Sequence, residues 1–194
     1  LTAIEFNNLT LIDGTTYFLI IKCVNVAGLY TIISSDGILI DTTAPINGPN
    51  SKIYAEYSNT NYILYGNWTP FIDAESEVDY YQCGISSAAS AINILPIMTV
   101  QRSGPLRCTF NTSKDMDPQY FPLTDGVLYY FVVYAFNKAG LMRSFASEAL
   151  LVDNSPPTGG LSIVNDDDEE IKFQMSLDVI RVVWNVNDVH SGLD

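Results

Sequence analysis

Basic residues are scarce in this chain. Nine Lys and Arg stand against 22 Asp and Glu, for a formal net charge of −13. Nucleic-acid phosphates demand clustered cations, so this balance argues against a nucleic-acid partner. It argues equally against docking on an anionic membrane surface. Long apolar runs are missing as well. The longest, such as "YYFVVYAF" at 129–136, fall far short of the ~20 residues that span a bilayer as a helix, so no membrane insertion of this segment is expected. No basic stretch followed by an apolar one opens the chain, so no signal peptide is visible. Histidine occurs once, as His190 in a turn-like "DVHSG". No His pair, Gly-x-Ser-x-Gly elbow or Gly-rich phosphate loop appears. The segment therefore reads as non-enzymatic, without cofactor and without assignable catalytic, cofactor-binding or metal residues. Cysteine is sparse too, and three of them do not decide the compartment.

What is present is apolar sequence in a repeated pattern. Hydrophobic residues make up 47% of 194, which excludes a disordered polymer and suffices for one large domain or two small ones. "DGTTYFLIIKCVNVAGL" at 13–29 returns as "DGVLYYFVVYAFNKAGL" at 125–141. At that spacing Leu11–Gly48 aligns with Leu123–Gly160 without a gap, matching Leu11, Asp13, Gly14, Tyr17, Asn25, Ala27, Gly28 and Leu29 to their copies. Ser35, Asp41, Pro45 and Gly48 likewise meet Ser147, Asp153, Pro157 and Gly160. A second block, "WTPFIDAESEVD" at 68–79, resembles "WNVNDVHSGLD" at 184–194, where Asp73, Ser76, Val78 and Asp79 share their spacing with Asp188, Ser191, Leu193 and Asp194. The blocks alternate, which is the signature of a tandem array. We expect the C-terminal half of one repeat at 1–43, a complete repeat at 44–155 and the N-terminal part of a third at 156–194, as in a piece of a longer protein.

Tyr17–Asn25 is β-branched and aromatic and too short for a typical helix. Alternation places Tyr17, Leu19, Ile21 and Cys23, and in the copy Tyr129, Phe131, Val133 and Ala135, on a core face. Asp-Gly before each strand and Asn-x-Ala-Gly after it are turn signals, with Gly28 and Gly140 suited to positive φ. Leu11 to Tyr17 and Leu123 to Tyr129 have the spacing of a tyrosine corner.

With these residues in hand, "LIDGTTYFLIIKCVNVAG" and "LTDGVLYYFVVYAFNKAG" resemble the E–F corner and F strand of fibronectin type III domains. "ILYGNW" and "VIRVVW" resemble that family's B strand, whose Trp enters the core, and "VDYYQCGI" its C strand. The resemblance implies an all-β fold of tandem Ig-like, fibronectin type III-like antiparallel β-sandwiches. The extra length of the complete repeat falls in 86–122.

Cys83 and Cys108 both sit in inward phase, either as two buried thiols or as an inter-strand disulfide, and we expect the disulfide. Cys23, at the position of Ala135, is expected to be a buried thiol, unless a partner lies in the missing half of its repeat. Three sequons, at Asn8, Asn67 and Asn111, fall where a glycan is tolerated: Asn67 is out of phase with Trp68, and Asn111 with Cys108 and Phe110. The run "NDDDEE" at 165–170 reads as a solvated acidic turn rather than a Ca²⁺ loop, since it lacks EF-hand spacing. Asp73, Asp188, Asp79 and Asp194 read as turn formers that cap local amides. "LDV" at 177–179 is expected in a strand, and Tyr54, Tyr57, Tyr62 and Tyr65 to serve cross-strand packing rather than a ligand.

The expected function is that of a structural or adhesive spacer in a large extracellular or cell-surface repeat glycoprotein, part of a filament. Its partners would be neighbouring repeats and other protein subunits, up to a fibre of identical chains. The alternative is a ligand-binding module of a receptor ectodomain or the non-catalytic accessory domain of a secreted enzyme, because one fold hosts all these roles. The junctions Asp41–Pro45 and Asp153–Pro157 are short and carry proline, so neighbouring repeats should be held semi-rigidly.

Overall fold

The computed structural model describes residues 3–58, 63–89, 92–111, 123–175 and 177–193, and over these the chain is all-β. The expected all-β class is therefore observed, with several antiparallel sheets among the described residues. No helix among the described residues is long and apolar enough to cross a membrane. The chain divides into two compact units. One comprises Leu1–Ala55, Tyr65–Thr109 and Tyr130–Glu148, and the other Glu56–Leu64, Phe110–Tyr129 and Ala149–Asp194.

Near the N-terminus, β1 (Thr16–Tyr17) pairs with β4 (Ile38–Leu39), and β2 (Ile20–Val24) with β3 (Tyr30–Ser34). Strands β5 (Ile53–Ser58), β6 (Ile63–Trp68) and β9 (Arg107–Asn111) form a sheet in the order β5-β6-β9. The largest sheet joins β7 (Val78–Ser86), β8 (Ile94–Gln101), β10 (Leu128–Asn137) and β11 (Met142–Ala146) in the order β11-β10-β7-β8. A short β12 (Leu150–Leu151) pairs with the start of β10. Last, β13 (Thr158–Val164) and β14 (Arg181–Asn187) form a two-stranded ribbon.

Strand alternation builds the core of the first unit. Trp68 points inward from β6 while Asn67 faces solvent. Its ring lies 5.5 Å from Tyr81 on β7 and 6.0 Å from Phe131 on β10, so residues of the two larger sheets face each other. Such face-to-face packing of two sheets is consistent with a β-sandwich. Trp68, Tyr81, Tyr129, Phe131 and Val133, the five residues the alternation marks most clearly as core, are all buried. Gly66 is required here, because a Cβ on it would come within 2.6 Å of the Phe131 ring. Phe71 stacks on Phe145 at 3.9 Å, and its amide donates to the Tyr81 hydroxyl at 3.2 Å. Burial pushes the Tyr81 phenol up, against the opposing pull of that hydrogen bond. Cys83 and Cys108 are disulfide-bonded across a separation of 25 residues, tying β7 of one sheet to β9 of the other.

The two copies of the first block fold alike in detail. Gly14 and Gly126 take φ of 71° and 72°, and Gly28 and Gly140 take 79° and 83°. The Ile12 amide donates to the Tyr17 hydroxyl at 3.0 Å, and the Thr124 amide to that of Tyr129 at 2.8 Å. Asn25 Oδ1 accepts from the Leu29 amide at 2.9 Å, and Asn137 Oδ1 from Leu141 at 2.7 Å. Ser35 Oγ accepts from Leu19, and Ser147 Oγ from Phe131, both at 3.0 Å. These bonds connect residues close in sequence, so each copy can form them from its own chain.

Burial does not follow the repeat. Phe131, Val133 and Ala135 are fully buried, whereas Leu19 and Ile21 are 43% and 48% exposed and Cys23 is an exposed free thiol. The expectation of a buried Cys23 is thus corrected: its strand is buried by a partner face in one copy and not in the other. Two local readings also change. Asp79 is not a turn former but an exposed position on β7, and "LDV" lies before β14 rather than within a strand. Asp194 and Tyr62 lie outside the described residues.

Candidate functional site

The polar residues that the fold gathers lie at the two Pro-bearing junctions. In the first unit, the loop after β6 turns on Asp73, whose Oδ1 accepts from the amides of Ser76 and Glu77 at 3.0 Å each. Asp13 Oδ1 accepts from the Thr42 amide at 2.7 Å, and Asp41 Oδ1 from Thr43 at 3.0 Å. Thr43 then donates its hydroxyl to Glu75 at 2.9 Å. Buried Asn137 closes the cluster. Its amide nitrogen lies 2.9 Å from Asp41 Oδ2, 2.9 Å from the Thr43 carbonyl and 3.0 Å from Asp73 Oδ2. Nearby, Glu77 accepts from Arg102 at 2.7 Å and from Lys138 at 2.9 Å, and these cations lower its carboxyl to about 2.

The second unit repeats the plan. Asp188 Oδ1 accepts from the amides of His190, Ser191 and Gly192 at 3.0, 2.8 and 3.3 Å. Asp125 Oδ1 accepts from Asn154, and Asp153 Oδ1 from the Ser155 amide at 3.0 Å. Asp153 Oδ2 receives the Ser191 amide at 3.1 Å. Hydrogen bonds from Ser191 and then Ser155 hold the Asp153 carboxyl well below the usual carboxylate range. Asp73 and Asp188 are the turn formers that their spacing suggests. Glu75 and His190 occupy the same place in the two loops.

Each cluster holds three groups whose donor atoms lie within 4.8 Å of one another, Asp41, Asp73 and Glu75 in one and Asp125, Asp153 and His190 in the other. These are the described residues best placed to meet a metal ion. Asp41/Asp153 and Asp73/Asp188 stand in the matched sequence blocks, but only the fold brings them together with Glu75 and with Asp125 and His190. The acidic run at 165–170 is instead a turn built on Asn165, whose Oδ1 accepts from Asp167 and Glu169, with Arg181 on Asp168 at 2.8 Å.

Ser155, His190 and two aspartates invite comparison with a proton relay. The geometry is different. Ser155 Oγ lies 3.0 Å from His190 Nδ1, and Asp125 and Asp153 approach that same nitrogen at 3.6 and 3.7 Å. A relay needs hydroxyl and carboxylate on opposite ring nitrogens. Nε2 instead faces Gly126, where a Cβ would come within 2.7 Å. The cluster is thus a fastening of loops.

Among the sequons, Asn8 is exposed with φ 60°, Asn67 is exposed on β6, and Asn111 is half-buried at the end of β9. Thr112 and Ser113 of the last lie outside the described residues. Tyr54 and Tyr65 are 54% and 38% exposed, and Tyr57 donates to Asn154 Oδ1 at 2.7 Å. No protein-family model matches this sequence, and a search of curated proteins finds no match.

Proposed function

We propose that this chain is a structural and adhesive spacer: tandem Ig-like, fibronectin type III-like repeats of a large extracellular or cell-surface glycoprotein, built into a filament. One observation carries the reading. The junction fastening occurs twice, with Asp13, Asp41, Asp73 and Thr43 in one place and Asp125, Asp153, Asp188 and Ser155 in the other. A ligand site needs to occur once, whereas a spacer needs the same joint at every repeat. The Cys83–Cys108 disulfide fits an oxidising compartment. Glycans at Asn8, Asn67 and Asn111 belong to the same reading, as does the absence of catalysis, cofactor or nucleic-acid partner.

Small-angle scattering of a polypeptide carrying several repeats tests it. A regular rod is expected, and a freely jointed or folded-back particle would overturn it. The second reading, a ligand-binding module of a receptor or secreted enzyme, draws on exposed Tyr54 and Tyr65.

A further inference from the structure

The carboxylates at the first junction stand close enough to share one ion. Two oxygens on the same Ca²⁺, each at its usual ~2.3–2.6 Å, lie no more than about 5 Å apart. One carboxylate oxygen each from Asp41, Asp73 and Glu75 lies within 4.8 Å of the others, and all three groups are half-buried. Among the described residues, no Lys or Arg pairs with any of them. The neighbouring cations, Arg102 and Lys138, are both held by Glu77. Asn137 Nδ2 stands 2.9 Å from Asp41 Oδ2, 2.9 Å from the Thr43 carbonyl and 3.0 Å from Asp73 Oδ2, so two hydrogens serve three oxygens. That amide is fixed in its orientation, because its Oδ1 accepts from Leu141.

A separate observation points to a ligand. Ser76 is only 9% exposed, and its buried hydroxyl has no hydrogen-bond partner. A buried hydroxyl left in this way is costly. Ser76 lines the same cavity as Asp41 and Glu75, and its own amide is bound to Asp73 Oδ1 at 3.0 Å. The matching hydroxyl at the second junction is satisfied within the protein, since Ser191 Oγ donates to Asp188 Oδ1 at 3.3 Å.

We propose that Asp41, Asp73, Glu75 and the Ser76 hydroxyl form a Ca²⁺ site at the first junction. Every donor is an oxygen and three are anionic, which suits a hard cation over one that favours nitrogen or sulfur. The second junction is a different site. His190 stands there in place of Glu75, and its Nδ1 is engaged by Ser155 Oγ at 3.0 Å. Asp41 belongs to the Pro-bearing junction, and the other three residues to the loop after β6. A bound ion therefore ties the junction to the complete repeat that follows it. Under the spacer reading this makes one joint of the array calcium-dependent, whereas the binding itself stands apart from that reading.

The test is calorimetric titration of the 194-residue chain with calcium chloride in about 0.15 M NaCl, where diffuse attraction to the acidic surface is screened. One ion per chain is expected to bind with a dissociation constant of roughly 10⁻⁴–10⁻³ M, the range of extracellular modules. Calcium at about 10 mM should raise the melting temperature by roughly 2–6 °C, and magnesium at the same concentration should not. Glu75→Gln should weaken binding by about tenfold or more, and Ser76→Ala by about threefold to tenfold, since affinity follows the number and charge of the ligands. Ser76→Ala loses no internal hydrogen bond, so in EDTA it should melt no lower than the parent. That readout separates a ligand from a structural residue and decides the matter if Glu75→Gln fails to fold. Asp167→Asn, in the acidic turn at 165–170, should bind like the parent. A folded parent that gives neither heat nor a thermal shift would overturn the proposal. Binding that survives both Glu75→Gln and Ser76→Ala would overturn it too, as diffuse attraction to the net charge alone. Calcium binding alongside a folded-back particle in the multi-repeat scattering experiment would keep the site and reject the spacer reading. A rod there without calcium binding would do the reverse.

Discussion

Leu19–Cys23 and Phe131–Ala135 carry different residues in the same apolar alternation and the same local structure, yet one is exposed and the other is core. Their turns, tyrosine hydroxyl bonds and serine bridges agree to within 0.2 Å where compared. The difference is what faces each strand. Around Phe131 stand Trp68 and the Gly66 backbone, with Tyr81 beyond. Local hydrogen bonds thus determine how this strand and its turns are shaped, while burial requires a second sheet.

Truncation of the matched residues should break the symmetry most sharply. Phe131→Ala should destabilise the chain by about 3–5 kcal/mol through lost burial and the cavity left behind. Leu19→Ala, at the same place in the exposed copy, should stay within about 0.5 kcal/mol. Urea unfolding of both variants measures this, and similar costs would show that the two copies are equally packed.

The cysteines come next. Replacing Cys83 and Cys108 together by Ala should cost about 3 kcal/mol for a loop of this length. Cys23→Ser should be neutral on the same unfolding curve. Under denaturing, non-reducing conditions, one thiol and only one should react with alkylating reagent.

Asn137→Ala should cost about 1–3 kcal/mol, because it strips the buried donor shared by Asp41 and Asp73. Asn25→Ala in the exposed copy loses only the turn bond to Leu29 and should cost about 1 kcal/mol or less. A thermal melt comparing the pair sharpens the contrast between a junction residue and a turn residue.

The smallest effect concerns pH. Glu77 is held at about 2, below its ordinary 4.5, by Arg102 first and Lys138 second. Because the folded value is depressed, its contribution is complete above about 4.5 and is lost as the pH falls toward about 2. Glu77→Gln should flatten that part of the stability profile, and carboxyl carbon shifts followed through an acid titration should place the midpoint. A Glu77 midpoint near 4.5 would show that the two cations do not hold it.

By itself the sequence determined what depends on near neighbours. Asp-Gly and Asn-x-Ala-Gly specified positive-φ turns, Leu-x₅-Tyr specified the hydroxyl bond across the corner, and period-two alternation specified which side of β6, β7 and β10 is apolar. Cys83 and Cys108 could be seen to point inward, a phase that fits two buried thiols as well as the disulfide that the structure shows. Tertiary structure alone decided the rest. Asn137 reaches Asp41 and Asp73 across 96 and 64 residues, a meeting that no local pattern encodes. Glu75 and His190 join their aspartates for the same reason. Cys23 is exposed although its alternation is that of a core residue, because alternation specifies a side of a strand and burial needs something to lie against it.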